Sequence, residues 1–313
     1  MATTTRNLSA IGKHFSDEDA ARELLESLRW PTGAVCPKCG AEKPYKLTPK
    51  ATSKAPCRKG VWKCRACRKQ FTVTVGTIFE HSHVPISEWL LAIHLLSASK
   101  KGMSAHQLHR LLGVTYRAAW FMAHRLRHAM KQDAMQLDGI VEVDETYVGG
   151  PRKPRMGTGR PKPNDPTKTP VIALVERGGR VRAFPLARVT GDNVQDVIRR
   201  EVSLNAHMMS DDLNVYHPLS MGFRKHEVVV HSRNEYVRGD VHTNTVEGFF
   251  GLLKRGIIGS FHHVSKGHLA RYCDEFCFRY NARKMTDGER AAMLVTAAEG
   301  KRLTYAEPKS ALA

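Results

Sequence analysis

The sequence predicts an α/β chain in two parts: a small basic half built from short segments and helices, then a domain in which strands and helices alternate. Three observations carry this reading. Five of the seven cysteines (Cys36, Cys39, Cys57, Cys64 and Cys67) crowd into 32 positions near the N-terminus. The charge is lopsided, because residues 1–135 hold 22 Lys+Arg against 9 Asp+Glu while residues 136–313 hold 27 against 21, within a net charge of +19. From Asp138 onward the texture changes to β-branched runs broken by turns and helical patterns.

Taken in order, residues 15–29 read as a short helix with Ser16 as N-cap and Ala20, Ala21, Leu24, Leu25 and Leu28 at helical spacing. From Cys36 to Thr77 short segments and turn residues follow, ending in the strand-like "QFTVTVGTIF". Residues 86–101 predict an amphipathic helix. In "SAHQLHRLLGVTYRAAWFMAHRL", Leu108, Leu111 and Leu112 predict one inward stripe, Gly113 a turn, and Val114, Ala118, Phe121 and Met122 a second stripe, with Ser104 and Thr115 as caps. That pattern fits a helix-turn-helix offering Tyr116, Arg117 and Trp120 to DNA, and fits an ordinary helical hairpin equally well.

Beyond Asp138 come a strand "GIVEVDETYVGG", strands "TPVIALVER" and "RVRAFPLARV", a helix from Asn193 to Val202, strands near "NAHMMSDD" and "HEVVVH", and a long helix from Thr245. Strand, strand, strand, helix, strand, strand, helix is the element order of a ribonuclease-H-like domain. Residues 151–170, with six prolines and six basic residues, predict a flexible surface loop. The expected divisions are 1–80 (helix and ribbon), 81–135 (helix-turn-helix-like region), 136–290 (α/β domain) and 291–313 (C-terminal tail).

Composition excludes several classes. No run approaches the roughly eighteen apolar residues of a membrane span, and no apolar stretch near the N-terminus could serve as a secretory core. A cytoplasmic protein without membrane association is expected. The basic excess of the first half predicts a polyanionic partner, and joined to the helix-turn-helix pattern it favours double-stranded DNA.

"CPKC", 24 intervening residues and "CRAC" present two Cys-x-x-Cys knuckles. Each two-residue spacer turns two thiolates toward one ion, so Cys36, Cys39, Cys64 and Cys67 predict a structural tetrahedral Zn²⁺ site. Cys57 is surplus, and Cys273 and Cys277, four apart on a helix with Phe276 and Phe278, predict core packing. Ten basic residues and no acid between Lys43 and Lys69 make the ribbon a phosphate-gripping surface, with Lys63 and Arg65 as candidates.

Three acids stand out: Asp144 within the first strand of the α/β part, Asp211 at the end of a later strand, and Glu247 at the start of a helix, with 35 residues between it and Asp211. With Val141 and Val143 beside it, Asp144 is expected on their apolar face. A carboxylate there is costly unless it binds a cation or strong donors. Three carboxylates converging from two strands and a helix would hold two Mg²⁺ ions suited to phosphodiester chemistry.

The order Asp144, Asp211, Glu247, the 35-residue gap, the string "HTNTVEGFFGLLKRGIIGSFHHVSKGHLARYCDEFCFRYNAR" and the cysteine pairs together resemble the DDE transposases of bacterial insertion sequences, specifically the zinc-ribbon, ISXO-type group. The resemblance spans roughly residues 15 to 285. It implies a ribonuclease-H-like fold, Mg²⁺-dependent strand cleavage at transposon ends, and strand transfer into target DNA. The family's acids fall on Asp144, on Asp211 (with Tyr216 five positions on and Asp212 as competitor), and on Glu247, with Asn244 an alternative ligand. Its basic residue falls on Lys254, seven positions after Glu247 and on the same helix face. Pairing two element ends implies a homodimer or larger assembly. Two other classes remain open: a DNA-binding regulator that lost its chemistry, which the intact acids and Lys254 argue against, and a metal-dependent nuclease that cannot join ends.

Overall fold

The computed structural model describes residues 15–48, 59–133, 135–149 and 167–305. They fall into two compact units, one drawn from residues 1–130 and 285–306, the other from 131–284.

In the first unit, helix α1 (Glu18–Arg29) is capped by Asp17, not Ser16: the Asp17 carboxylate accepts from the amides of Asp19 and Ala20. A three-stranded antiparallel ribbon follows, β1 (Tyr45–Lys46), β2 (Trp62–Lys63) and β3 (Gln70–Phe71). The ribbon leans on α1 through aromatic edges, Trp30 meeting Trp62 at 5.8 Å and Phe71 at 6.1 Å. Glu26 adds polar ties, accepting from the Trp62 indole at 3.1 Å and Lys46 at 3.0 Å. The expected strand beyond Phe71 breaks into turns. Thr72 and Thr74 share a hydroxyl bond, Thr77 Oγ1 donates to the Thr74 carbonyl at 2.6 Å, and Gly76 sits at φ +76°, so local bonds win over the ladder.

Helix α2 (Ile86–Ala98) is buried on nearly every side, with Trp89, Leu90, Ala92, Ile93, His94, Leu96 and Ser97 all inside. Its amphipathic reading fails because other helices surround it, among them α8 (Asp287–Thr296). Helices α3 (Ala105–Leu112) and α4 (Tyr116–Met130) flank Gly113, which ends α3 in the left-handed conformation. Ser104 caps α3 by accepting from the Gln107 amide, and Thr115 accepts from that of Ala118. The inward stripe differs from expectation. Leu111 is 53% exposed, and α4 buries Ala119, Met122, Ala123 and Leu126 instead of Val114, Ala118 and Phe121. Those four stand at i, i+3, i+4 and i+7, one face of a helix that starts at Tyr116.

The expected tail from 291 is instead part of this unit. Leu294, Val295, Ala298 and Leu303 are buried. Glu299 binds the guanidinium of Arg29 at 3.1 Å, the Gly300 amide donates to Gly76, and Lys301 donates to the carbonyl of Ala129.

The second unit is a five-stranded sheet in the order β6-β5-β4-β7-β8. Its strands are β4 (Ile140–Gly149), β5 (Lys168–Glu176), β6 (Val181–Pro185), β7 (His207–Asp211) and β8 (Lys225–Val229). The first three run antiparallel, and β7 and β8 run parallel to β4. Helix α5 (Gly191–Glu201), capped by Thr190, makes the crossover to β7. Its Val194, Val197 and Ile198 cover one sheet face with Val141, Val143, Ile172 and Leu174. Helices α6 (Asn244–Gly256) and α7 (Leu269–Asn281) cover the other, packing Val246, Phe249, Phe250, Leu253, Cys273, Phe276 and Cys277 on Val148, Val171, Ala173 and Val175. This is the ribonuclease-H-like arrangement that the element order predicts. The predicted loop at 151–170 lies mostly outside the described residues, and from Lys168 it is already strand β5. Among the described residues no helix is long and apolar enough to cross a membrane.

Candidate active site

Alternation along β4 sorts its acids. Val141 and Val143 face α5, so Glu142, Asp144 and Thr146 face the side covered by α6, where Val148 packs. Asp144 therefore does not share the face of Val141 and Val143 as expected. The β4–β7 ladder ends at Glu142 opposite Met209. Two residues on, Asp144 and Asp211 stand at equivalent steps of neighbouring parallel strands, on one face, just past the last pairing. The carboxyl ends of parallel strands are where open α/β sheets form crevices.

Glu247 enters from the first turn of α6, exposed, with the Thr243 hydroxyl donating to it at 3.4 Å. Asp144 feels the charges of the other two acids. Asp144 is pushed up to about 8, first by burial, then by the charges of Glu145 and Asp211, and further by Glu247, against the opposing pull of the Glu145 amide, which donates to it at 2.7 Å. Asp211 accepts from the Leu213 amide at 3.1 Å. Its neighbour Asp212 points elsewhere: the Ser232 hydroxyl, at 2.8 Å, holds its carboxyl below the usual range. Asn244 is exposed at the first residue of α6. Among the described residues no three carboxylates bring their oxygens within 4.8 Å of one another.

Two acids of β4 escaped the sequence reading. Glu145 faces the α5 side, where the buried Tyr216 hydroxyl donates to it at 2.6 Å. Burial raises Glu145 and, more strongly, Tyr216. Glu142 is fully buried and gathers donors from Arg177 and from the start of α6. The sequence signal for them is an acid at every charged position of a valine-rich strand, "VEVDE".

Lys254 is exposed on α6, seven residues from Glu247 and so about 10 Å along the same stripe. In the first unit, Cys36, Cys39, Cys64 and Cys67 bring their sulfurs within 4.8 Å of one another. The spacings of 3.8 Å (Cys36 to Cys67) and 3.6 Å (Cys39 to Cys64) match the edges of a tetrahedron with metal–sulfur bonds of about 2.3 Å, edges of about 3.8 Å. The amide of Cys67 lowers the Cys64 thiol, while the neighbouring sulfurs and burial raise that of Cys39. Gly40 takes the left-handed turn after the first knuckle at φ +72°. Cys57 lies outside the described residues, and Cys273 and Cys277 are buried in the core under α6. Lys63 is half-buried in β2, and the exposed Arg65 lies over the Tyr45 ring at 5.0 Å. Arg117 is exposed but engaged, its guanidinium 4.5 Å over the Tyr305 ring and bonded to the Tyr305 hydroxyl.

A ribonuclease-H-like sheet carrying acids on two neighbouring strands, together with a four-cysteine ribbon, defines a class of zinc-ribbon DDE proteins. Residues 136–281 match the ISXO2-like transposase domain and residues 16–70 the transposase zinc-ribbon domain. The chain is 30% identical over 291 residues to an uncharacterized protein in transposable element ISH50 of Halobacterium salinarum, spanning 85% of this chain and 92% of that protein. The chain belongs to this ISXO2-like transposase family. Two solved structures are more distant. They are the Mos1 transposase paired-end complex with left transposon end (15% identity, 70% of this chain, 82% of that chain, TM-score 0.23) and a simian T-cell lymphotropic virus intasome (13%, 60%, 65%, TM-score 0.29).

Proposed function

We propose that the protein binds the ends of an insertion sequence, cleaves DNA there and joins the freed strand to target DNA, with Asp144, Asp211 and Glu247 as the catalytic acids. The observation that supports this reading is Asp144 itself, which burial first, and then the charges of Glu145, Asp211 and Glu247, raise to about 8. Hard oxygen donors with excess negative charge fit a hard divalent cation, and these three residues would hold it. Mg²⁺ bound there would supply the Lewis acid that activates the attacking oxygen and stabilises the leaving 3′-oxygen.

The chain's own groups do the rest. Lys254, on the stripe of Glu247, holds a phosphate of the scissile strand. Lys63 and Arg65 grip backbone phosphates from the ribbon, and the α4 start, with Arg117, approaches the bases. Water attacks the phosphorus as the bond to the 3′-oxygen breaks, and the resulting 3′-hydroxyl attacks a target phosphodiester in the same in-line manner. Holding two ends at once calls for a homodimer or larger assembly, working in the cytoplasm.

The experiment supplies a plasmid carrying the terminal repeats that flank the gene, with Mg²⁺. Joined products are expected; cuts alone would make the protein a nuclease, and binding alone a regulator. Asp144→Ala, Asp211→Ala and Glu247→Gln should each abolish cleavage while end binding persists. Full activity in any of them removes that residue from the site.

A further inference from the structure

Glu142 is the most deeply buried acid near the site, and it is not one of the three proposed catalytic acids. It sits two residues before Asp144 on the same face of β4 and is fully inaccessible. Its Oε2 accepts the backbone amides of Thr245 at 2.7 Å and Val246 at 3.0 Å. Its Oε1 accepts the Thr245 hydroxyl at 2.8 Å and the Arg177 Nε at 2.6 Å. Arg177 in turn donates to the carbonyls of Asp240 at 2.6 Å and His242 at 3.0 Å, gripping the chain just before the helix. His242 Nδ1 lies 3.3 Å from Glu142 and 2.9 Å from Arg177.

Helix α6 has no side-chain cap of its own from Thr243. The first amides of a helix have no partner within it, and a carboxylate there also offsets the positive end of the helix dipole. In this protein that carboxylate comes from the neighbouring strand. Glu247 is the very next residue after Val246, and its amide is tied to the Thr243 carbonyl at 3.1 Å. One strand therefore presents Asp144 directly and fixes the start of the helix that presents Glu247.

We propose that Glu142, with Arg177 behind it, is a positioning residue for the third acid: it sets where Glu247 stands relative to Asp144 and offsets the helix-end potential that would oppose a dication there. This rests on the three-acid reading of the site. A carboxylate is required because four donors converge on two oxygens. Glutamine would offer one oxygen and turn an NH₂ group toward donors, and aspartate would fall a methylene short.

The test uses the full chain and measures Mn²⁺ binding directly, by the electron paramagnetic resonance signal of free Mn²⁺, alongside end binding, cleavage and thermal unfolding. Glu142→Gln should weaken Mn²⁺ binding about 10- to 100-fold, as loss of an outer-shell partner does, with end binding unchanged. Thr245→Val removes one bond and keeps both amides, and should weaken Mn²⁺ about fivefold, the worth of one hydrogen bond, in a chain that still folds cooperatively. A purely structural role would lower stability and leave Mn²⁺ affinity intact. Unchanged Mn²⁺ affinity in folded Glu142→Gln overturns the proposal, and if that variant does not fold, unchanged affinity in Thr245→Val does so. Asp144→Ala runs in parallel. Loss of Mn²⁺ binding in Asp144→Ala with none in the Glu142 and Thr245 variants defeats this inference alone, whereas wild-type binding and cleavage in Asp144→Ala defeats the three-acid reading itself.

Discussion

Replacing Asp144 by Asn should stabilise the metal-free protein while ending its chemistry. The folded carboxyl titrates at about 8 against an ordinary 3.8, because it is buried beside Glu145, Asp211 and Glu247. A group raised in this way binds a proton in the folded state that the unfolded chain has released, so its contribution is most favourable below about pH 4 and is lost as pH rises toward 8. At pH 7.5, with about 1.4 kcal/mol for each tenfold difference in proton affinity, the full cost is about 5 kcal/mol. Asn keeps the shape and carries no charge, but its amide must also be desolvated at about 1–3 kcal/mol. The expected net gain is therefore about 2–4 kcal/mol at pH 7.5, vanishing near pH 5. The assay is urea unfolding in buffers depleted of divalent ions by dialysis, since a chelator would also take zinc from the ribbon. All four tryptophans (Trp30, Trp62, Trp89, Trp120) lie in the first unit. Their fluorescence should not respond, and far-ultraviolet circular dichroism should. Added Mg²⁺ should stabilise the wild type and narrow the gap. No gain in the Asn variant at pH 7.5, or a wild-type stability flat between pH 5 and 8, would refute the argument.

Other outcomes follow from the same geometry. Freshly purified protein should carry one zinc, and a chelator should unfold the ribbon, seen as a shift in Trp30 and Trp62 emission, because so few apolar residues support it; elemental analysis without zinc contradicts this. Leu294→Ala, at a fully buried position of α8, should cost the first unit about 2–5 kcal/mol, read by tryptophan fluorescence, and a chain ending at residue 284 should lose that unit's cooperative unfolding; an unchanged transition would show that α8 is dispensable. Lys63→Ala or Arg65→Ala should weaken all duplexes alike and reduce the salt slope by about 1 each, and a flat salt response would sink the electrostatic argument. Arg117→Ala should narrow the preference for terminal over unrelated duplexes, and equal affinity for both that the change leaves untouched would remove base reading from α4.

Much of this protein was legible because its information is local. The cysteine knuckles show in two-residue spacers, the strands and helices of the α/β half in periodicity, and Gly113 between Ser104- and Thr115-capped helices in turn chemistry. Asp144, Asp211 and Glu247 announce themselves as acids among apolar neighbours. What local patterns could not convey is which distant segments meet. Nothing in "DGERAAMLV" says that this helix closes the N-terminal unit, since its partners, Arg29 through Glu299 and the α2 surface, lie some two hundred and more residues away.

Burial misled for the same reason. Helix α2 reads as amphipathic until the helices around it are counted as its solvent, and α4 turns one residue from its expected stripe because its neighbours choose the buried face. In β4 the strand period sets Asp144 opposite Val141 and Val143 and beside Glu142, against the expected shared face, and only the sheet's partners decide that the acids' side faces α6. Sequence alone determined the chemistry available to this protein: four thiolates at zinc spacing, a basic half, and three acids in the order of its family. Tertiary structure decided what those groups experience. It set Asp144 two residues past the end of the β4–β7 ladder, where burial and neighbouring charges raise its proton affinity, and it placed the Glu142 carboxylate on the amides of a helix that begins a hundred residues later. Electrostatic energy depends on distance through space and on excluded water, and neither is written in residue order.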